Sequence, residues 1–140
     1  MQLTVVPAPL ARIVVSGIVE PGDQRGRLLG FPTANLPLTV DDLLVADGVY
    51  AGWAHVEDIC VATAVSVGRR PTFYADRGMS LLEAHLLDFE GDLYGREMTV
   101  ELVARLRGQV RFDGPEALRR QLEIDVQRCR DALTRFTPSR

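Results

Sequence analysis

Apolar and polar residues alternate along most of this chain, then switch to a helical period near its end. Residues 12–19 hold Ile13, Val14, Val15, Ile18 and Val19, a β-branched cluster that favours a strand. Residues 48–56 place Val49, Ala51, Trp53 and His55 on one face. Glu57-Asp58 reads as a tight turn. Residues 59–67 then set Ile59, Val61, Val65 and Val67 against small Cys60, Ala62 and Ala64, so the two runs form a β-hairpin. Residues 81–89 are a further strand, closed by a turn at Glu90-Gly91-Asp92. In 97–107 Met98, Val100, Leu102, Ala104 and Leu106 are expected inward, and Thr99, Glu101, Arg105 and Arg107 outward. After Phe112 the period changes. Asp113 is the expected cap, Pro115 falls in the first turn, and Leu118, Leu122, Val126, Cys129 and Leu133 share one helical face. Arg119, Arg120, Glu123, Gln127 and Arg130 share the other, and the helix is expected to fray before Pro138. Residues 1–11 read as a flexible leader or an edge segment, and 36–47 and 68–79 as loops. Five or six strands and one terminal helix predict a mainly β fold, an antiparallel barrel with the helix packed outside.

Size and charge narrow the functional classes. A chain of 140 residues with 46% hydrophobic content suggests a single domain over 1–140. No stretch is long and apolar enough to span a bilayer, and the first residues do not form a signal peptide, so a cytoplasmic location and no membrane partner are expected. The net charge of -3 argues against broad nucleic-acid binding. All 16 basic residues are arginines. Without lysine the chain can have neither a GxxxxGK[ST] phosphate loop nor a protein-kinase-type catalytic lysine. Cys60 and Cys129 lack metal-binding spacing and are expected as reduced, buried thiols.

The most unusual stretch is 22–36, Gly-Asp-Gln-Arg-Gly-Arg-Leu-Leu-Gly-Phe-Pro-Thr-Ala-Asn-Leu. A hydrophobic core needs no such mixture. Gly26 allows backbone to approach a ligand, and Arg25 and Arg27 offer forked donors suited to phosphate. If the backbone is extended here, Thr33 and Asn35 point the same way. Two neutral oxygens facing one point suit a Mg2+ that already carries phosphate oxygens. The plainer alternative is an Asn that stabilises a turn through its own backbone. Glu83 and His85 share a face of their strand. From pattern alone a solvent-facing glutamate is the favoured reading of Glu83.

The segment RGRLLGFPTANL resembles the signature of riboflavin kinases, the ATP-dependent enzymes that make FMN. The resemblance continues in family order through Gly48-Val49-Tyr50-Ala51, Val67-Gly68-Arg69-Arg70-Pro71-Thr72-Phe73, Leu82-Glu83-Ala84-His85-Leu86-Leu87-Asp88-Phe89, Asp92-Leu93-Tyr94-Gly95, Leu106-Arg107 and Phe112. PTAN alone is a weak signal; these blocks in order are highly specific. The resemblance implies a six-stranded antiparallel Greek-key β-barrel with a C-terminal α-helix packed outside. It implies ATP and riboflavin as substrates, Glu83 as general base, Thr33 and Asn35 as ligands of Mg2+ and phosphate, and Gly26, Arg27 and Tyr94 near the nucleotide. It also implies an apolar flavin cleft closed by parts of 68–80 and 108–114. His85 either orients Glu83, lines the site or is structural.

The chain departs from the family in having Arg70 where asparagine is frequent. Many bacterial members carry this module behind an FMN adenylyltransferase domain, so such a domain or protein is an expected partner. No HxGH-like motif is present here, and no FAD synthesis is expected of this chain. The competing reading is a non-catalytic flavin- or nucleotide-binding module, a sensor or carrier. Such a module has no need of Thr33, Asn35 and Glu83 together.

Overall fold

The computed structural model describes residues 9–21, 30, 32–38, 45–70 and 79–138. Six strands, β1 (Pro9–Ile18), β2 (Ala34–Pro37), β3 (Gly48–Val56), β4 (Ile59–Arg70), β5 (Met79–Leu86) and β6 (Glu97–Arg107), precede one helix, α1 (Pro115–Leu133). They form a single antiparallel sheet in the order β1-β6-β3-β4-β5-β2. The run β6-β3-β4-β5 has the spatial order of a Greek key. The two edge strands nearly meet. Past the end of β1, Glu20 bridges Asn35 of β2, its amide donating to the Asn35 carbonyl at 2.9 Å. The sheet is thereby almost closed into a barrel.

Curvature in so small a barrel needs local irregularity, and β6 supplies it. Ala51 pairs with Ala104 and Gly52 with Leu102, leaving Val103 as an extra residue; Val49 pairs with Arg107 and Tyr50 with Arg105, leaving Leu106 extra. Such bulges bend and twist a strand. Gly52 permits the first, because a Cβ there would lie 2.4 Å from the Glu101 carbonyl oxygen. The bulges also break the alternation. Met98, Val100 and Leu102 fill the barrel with Val15, Leu36, Val65, Val67 and Leu82. Ala104 and Leu106, expected among them, join Val103 on the side facing the helix.

The helix buries Cys129, Ala132 and Leu133 against a floor of small residues, Ala51, Ala62 and Ala64. The Cys129 thiol donates to the Thr63 carbonyl at 3.2 Å, and burial pushes its pKa up to about 12. Trp53 is half-buried and its indole N–H donates to the Phe136 carbonyl at 3.0 Å, which secures the chain just after the helix.

Other expectations need correction. Cys60 is exposed rather than buried. The helix is capped by Gly114 without a side-chain bond, not by Asp113; Pro115 follows it, where its missing N–H costs nothing. Glu101 points out of the barrel yet is 2% exposed, its carboxylate 3.6 Å from His55 Nε2. Of the two readings of 1–11, the edge segment holds for residues 9–11, which open the edge strand β1; residues 34–37 form a strand where the pattern predicts a loop from 36, and β4 runs three residues further than its hydrophobic pattern. The fifth strand stops at Leu86, where a turn with Asp88 at φ 56° turns the chain away before Phe89. Among the described residues no helix is long and apolar enough to cross a membrane.

Candidate active site

The chemistry-bearing residues collect on the outer surface of the sheet, where strand register aligns them. Asn35 of β2 lies directly opposite Glu83 of β5, and Glu83 lies directly opposite Ser66 of β4. Directly opposed antiparallel residues have Cβ atoms about 4.5–5.5 Å apart on the same face. One row across three strands therefore carries an amide, a carboxylate and a hydroxyl. Leu82, Ala84 and Leu86, alternating with Glu83 and His85, are buried inside the barrel and hold β5 in this orientation.

Two clefts open beside the row. The first, about 310 Å³, lies between the sheet and the N-terminal half of α1. Val49, Phe112, Leu118 and Leu122 are among its apolar lining residues, and Thr33 and Glu83 are among its polar ones. The second, about 460 Å³, runs from Thr33 and Ala34 to the loop bearing Asp92 and Tyr94. Thr33 borders both, so the two spaces adjoin there.

The Asp92 carboxylate accepts the Tyr94 amide at 2.8 Å, and Gly95 follows at φ 80°, a backbone state that suits glycine. This tight turn presents Tyr94, 39% exposed, at the second cleft. His85 borders the first cleft and its Nδ1 is 2.8 Å from the Pro32 carbonyl oxygen, which makes Nδ1–H the donor. This bond fastens the residue before Thr33 to the strand that carries Glu83.

Asn35 is 3% exposed, and its Oδ1 has no hydrogen-bond partner among the described residues. A buried, unpaired amide oxygen is costly and asks for a donor or a cation. Among the described residues there is no cluster of three or more His, Cys, Asp and Glu that could hold a metal ion. The unpaired Asn35 oxygen is a neutral donor of the kind that suits a cation bringing most of its other oxygen ligands with it, as Mg2+ on polyphosphate does.

Of the residues singled out from sequence, Thr33, Glu83 and Tyr94 line the two adjoining clefts, and Asn35, buried opposite Glu83, lines neither. Gly26 and Arg27, with the rest of 22–29, and residues 71–78 of the segment 68–80 expected to close the flavin cleft lie outside the described residues. Sequence reasoning missed Ser66, Gln109 and Asp125, which line the first cleft. Asp125 had a usable signal: it falls three residues after Leu122 and four before Cys129, within the apolar face. Ser66 and Gln109 had none, because only register and chain reversal bring them there.

Known proteins share this sequence and fold. The family model described as Flavokinase, riboflavin kinase, matches residues 10–133. Over 114 residues the chain is 38% identical to the bifunctional riboflavin kinase/FMN adenylyltransferase of Bacillus subtilis (strain 168), covering 81% of this chain and 36% of that protein. It thus spans about a third of that relative's length. The riboflavin kinase structure from Trypanosoma brucei superimposes with a TM-score of 0.66 at 27% identity, over 89% of this chain and 82% of that one. A structure described as a macrolide-efflux protein from Streptococcus pneumoniae superimposes with a TM-score of 0.75 at 34% identity, over 89% of this chain and 39% of that one. With a family model matched over nearly its whole length, on the barrel that carries the Asn35–Glu83–Ser66 row, the chain belongs to the riboflavin kinase family.

Proposed function

We propose that this chain transfers the γ-phosphoryl group of ATP to the 5′-hydroxyl of riboflavin, giving FMN and ADP. The observation that carries the reading is the junction of two clefts at Thr33, beside the aligned Asn35 and Glu83. A transfer between two bound molecules needs two adjoining spaces and a polar group where they meet.

In this reading the isoalloxazine ring enters the apolar cleft under α1, and the ribityl chain runs toward Glu83. The Glu83 carboxylate accepts the proton of the 5′-hydroxyl as its oxygen bonds to the γ-phosphorus, and the bond from that phosphorus to the β,γ-bridging oxygen breaks to release ADP. ATP occupies the second cleft, beside Tyr94. Thr33 and Asn35 would hold Mg2+, which neutralises polyphosphate charge when bound. Gly26 and Arg27 complete the phosphate cover. His85, through the Pro32 carbonyl, keeps Thr33 in register with Glu83. Most of the rate comes from holding the two reacting oxygens in line.

The test is to incubate the purified chain with riboflavin, ATP and Mg2+ and to separate the flavins, with and without chelator. Mg2+-dependent FMN without FAD is the expected result. Riboflavin bound but never phosphorylated would replace this reading with that of a carrier or sensor, and FAD formation would require a second active site.

A further inference from the structure

The segment that leaves β6 and walls the flavin cleft has its own anchoring system, which the phosphoryl-transfer chemistry does not use. Its centre is Arg107. The side chain is 14% exposed, and each of its three nitrogens donates a hydrogen bond. Nε donates to Asp125 Oδ1 at 2.8 Å and one terminal nitrogen to Asp125 Oδ2 at 2.7 Å. The other terminal nitrogen donates to the Gly108 carbonyl at 2.9 Å. The guanidinium also lies 6.0 Å from the centre of the Phe112 ring. Asp125 is 3% exposed and takes a third bond from Gln121 Nε2 at 3.0 Å. A second anchor is Gln109, whose amide nitrogen donates to Ser66 Oγ and the Val67 carbonyl, both at 2.9 Å.

One guanidinium thus ties the strand end, the helix, the first residue of the connecting segment and an aromatic wall of the cleft into one unit. Gln109 pins the same segment to the sheet beside Ser66, the residue opposite Glu83. Bidentate Arg–carboxylate pairs fix orientation as well as distance. Here the fork's remaining edge is spent on the segment itself. A residue needed only to neutralise Asp125 requires no such third contact.

We propose that Arg107 is a positioning residue for the flavin: with Asp125 it holds residues 108–112, and with them Phe112, in the shape that receives the isoalloxazine ring. It touches no reacting atom. The proposal rests on the assignment of this cleft to riboflavin in the reading above. Its natural readout is selective loss of riboflavin affinity with nucleotide affinity spared, because the cleft bordering Tyr94 shares none of these contacts.

The test titrates the full chain with riboflavin by fluorescence quenching and with ATP and Mg2+ by calorimetry, and follows FMN formation in parallel. Arg107→Lys keeps the charge opposite Asp125 but cannot bond the carboxylate twice and the Gly108 carbonyl as well. It is expected to raise the riboflavin Kd roughly tenfold, the scale of one or two lost hydrogen bonds, with nucleotide Kd unchanged. The double variant Arg107→Met/Asp125→Leu removes both buried charges together, a replacement that folds well elsewhere. It is expected to show the same riboflavin defect while melting near the wild type, and it decides the matter if Arg107→Lys fails to fold. Wild-type riboflavin affinity in the double variant, or equal weakening of both ligands in Arg107→Lys, would overturn the positioning role. A wild type that binds riboflavin but makes no FMN would sink the kinase reading, and the binding comparison would still decide this one. A wild type that does not bind riboflavin would overturn both.

Discussion

The two halves of α1 lie over the same sheet and do different things. The C-terminal half sinks Cys129, Ala132 and Leu133 onto Ala51, Ala62 and Ala64, small residues that let helix and sheet approach closely. The N-terminal half meets larger and polar floor residues, Val49, Ser66 and Glu83, and its Leu118 and Leu122 remain half-exposed at a cleft of about 310 Å³. Between them sits the buried Arg107–Asp125 pair. One half is closely packed, and the other leaves a cleft that, in the proposed function, a ligand completes. The ion pair stands at the border, where a charged group is affordable only because its partner is fixed.

Substitutions can break that comparison. The largest expected effect is on the functional side. Glu83→Gln should lower kcat by at least ~100-fold, in line with the contribution of a general base, while riboflavin binding persists; turnover and binding falling in step would remove Glu83 from the chemistry. Next come Thr33→Ala and Asn35→Ala, which should impair use of Mg-ATP more than riboflavin binding. Unchanged Mg2+ dependence of FMN formation in both variants would sink the metal assignment.

On the structural side, Leu133→Ala should cost about 2–5 kcal/mol in denaturant unfolding, as deletion of a buried leucine side chain does, with riboflavin KM of the folded fraction preserved. Leu122→Ala should do the reverse: a smaller stability loss and a raised KM for riboflavin. Equal stability losses with unchanged KM would erase the division between the two halves. The smallest effect is chemical. Burial holds the Cys129 thiol protonated far above neutral pH, whereas Cys60, also raised but on the surface, is accessible. Mass spectrometry after mild alkylation of the native chain should find Cys60 labelled and Cys129 intact. Labelling of both at similar rates would mean that the packed half opens readily.

A surface pair outside this contrast shows how little exposed charge adds. Arg130 donates to both Asp88 oxygens, and its hydrogen bonds and positive charge hold the Asp88 carboxyl below the usual range. A depressed folded-state value means that the contribution is present above the unfolded value and disappears as pH falls through the folded one. Because both groups are in water, salt screens it.

Local pattern was enough for the helix and for the bodies of β1, β3, β4, β5 and β6, whose consecutive residues report their period directly, but it missed the four-residue β2. It was also enough for the hairpin turn at Glu57-Asp58, which occupies the two residues between β3 and β4. The blocks from PTAN to DLYG made the family legible, and with it the barrel. Alternation misled at Ala104 and Leu106 because two bulges shift the facing of β6, and nothing short of the β3 register reveals an extra residue. It placed Glu101 outward correctly but could not show its burial, because alternation divides inside from outside, whereas parts of this barrel's outer surface are themselves buried. It was silent on the Asn35–Glu83–Ser66 row and the Arg107–Asp125 pair. Those depend on which strands become neighbours, in what register, and on where a helix crosses them. Sequence alone determined most of the elements, the chemistry available to them and the family. Only tertiary structure decided which side chains share a cleft, because proximity between residues distant in the chain is set by the packing of the whole barrel and not by any local preference.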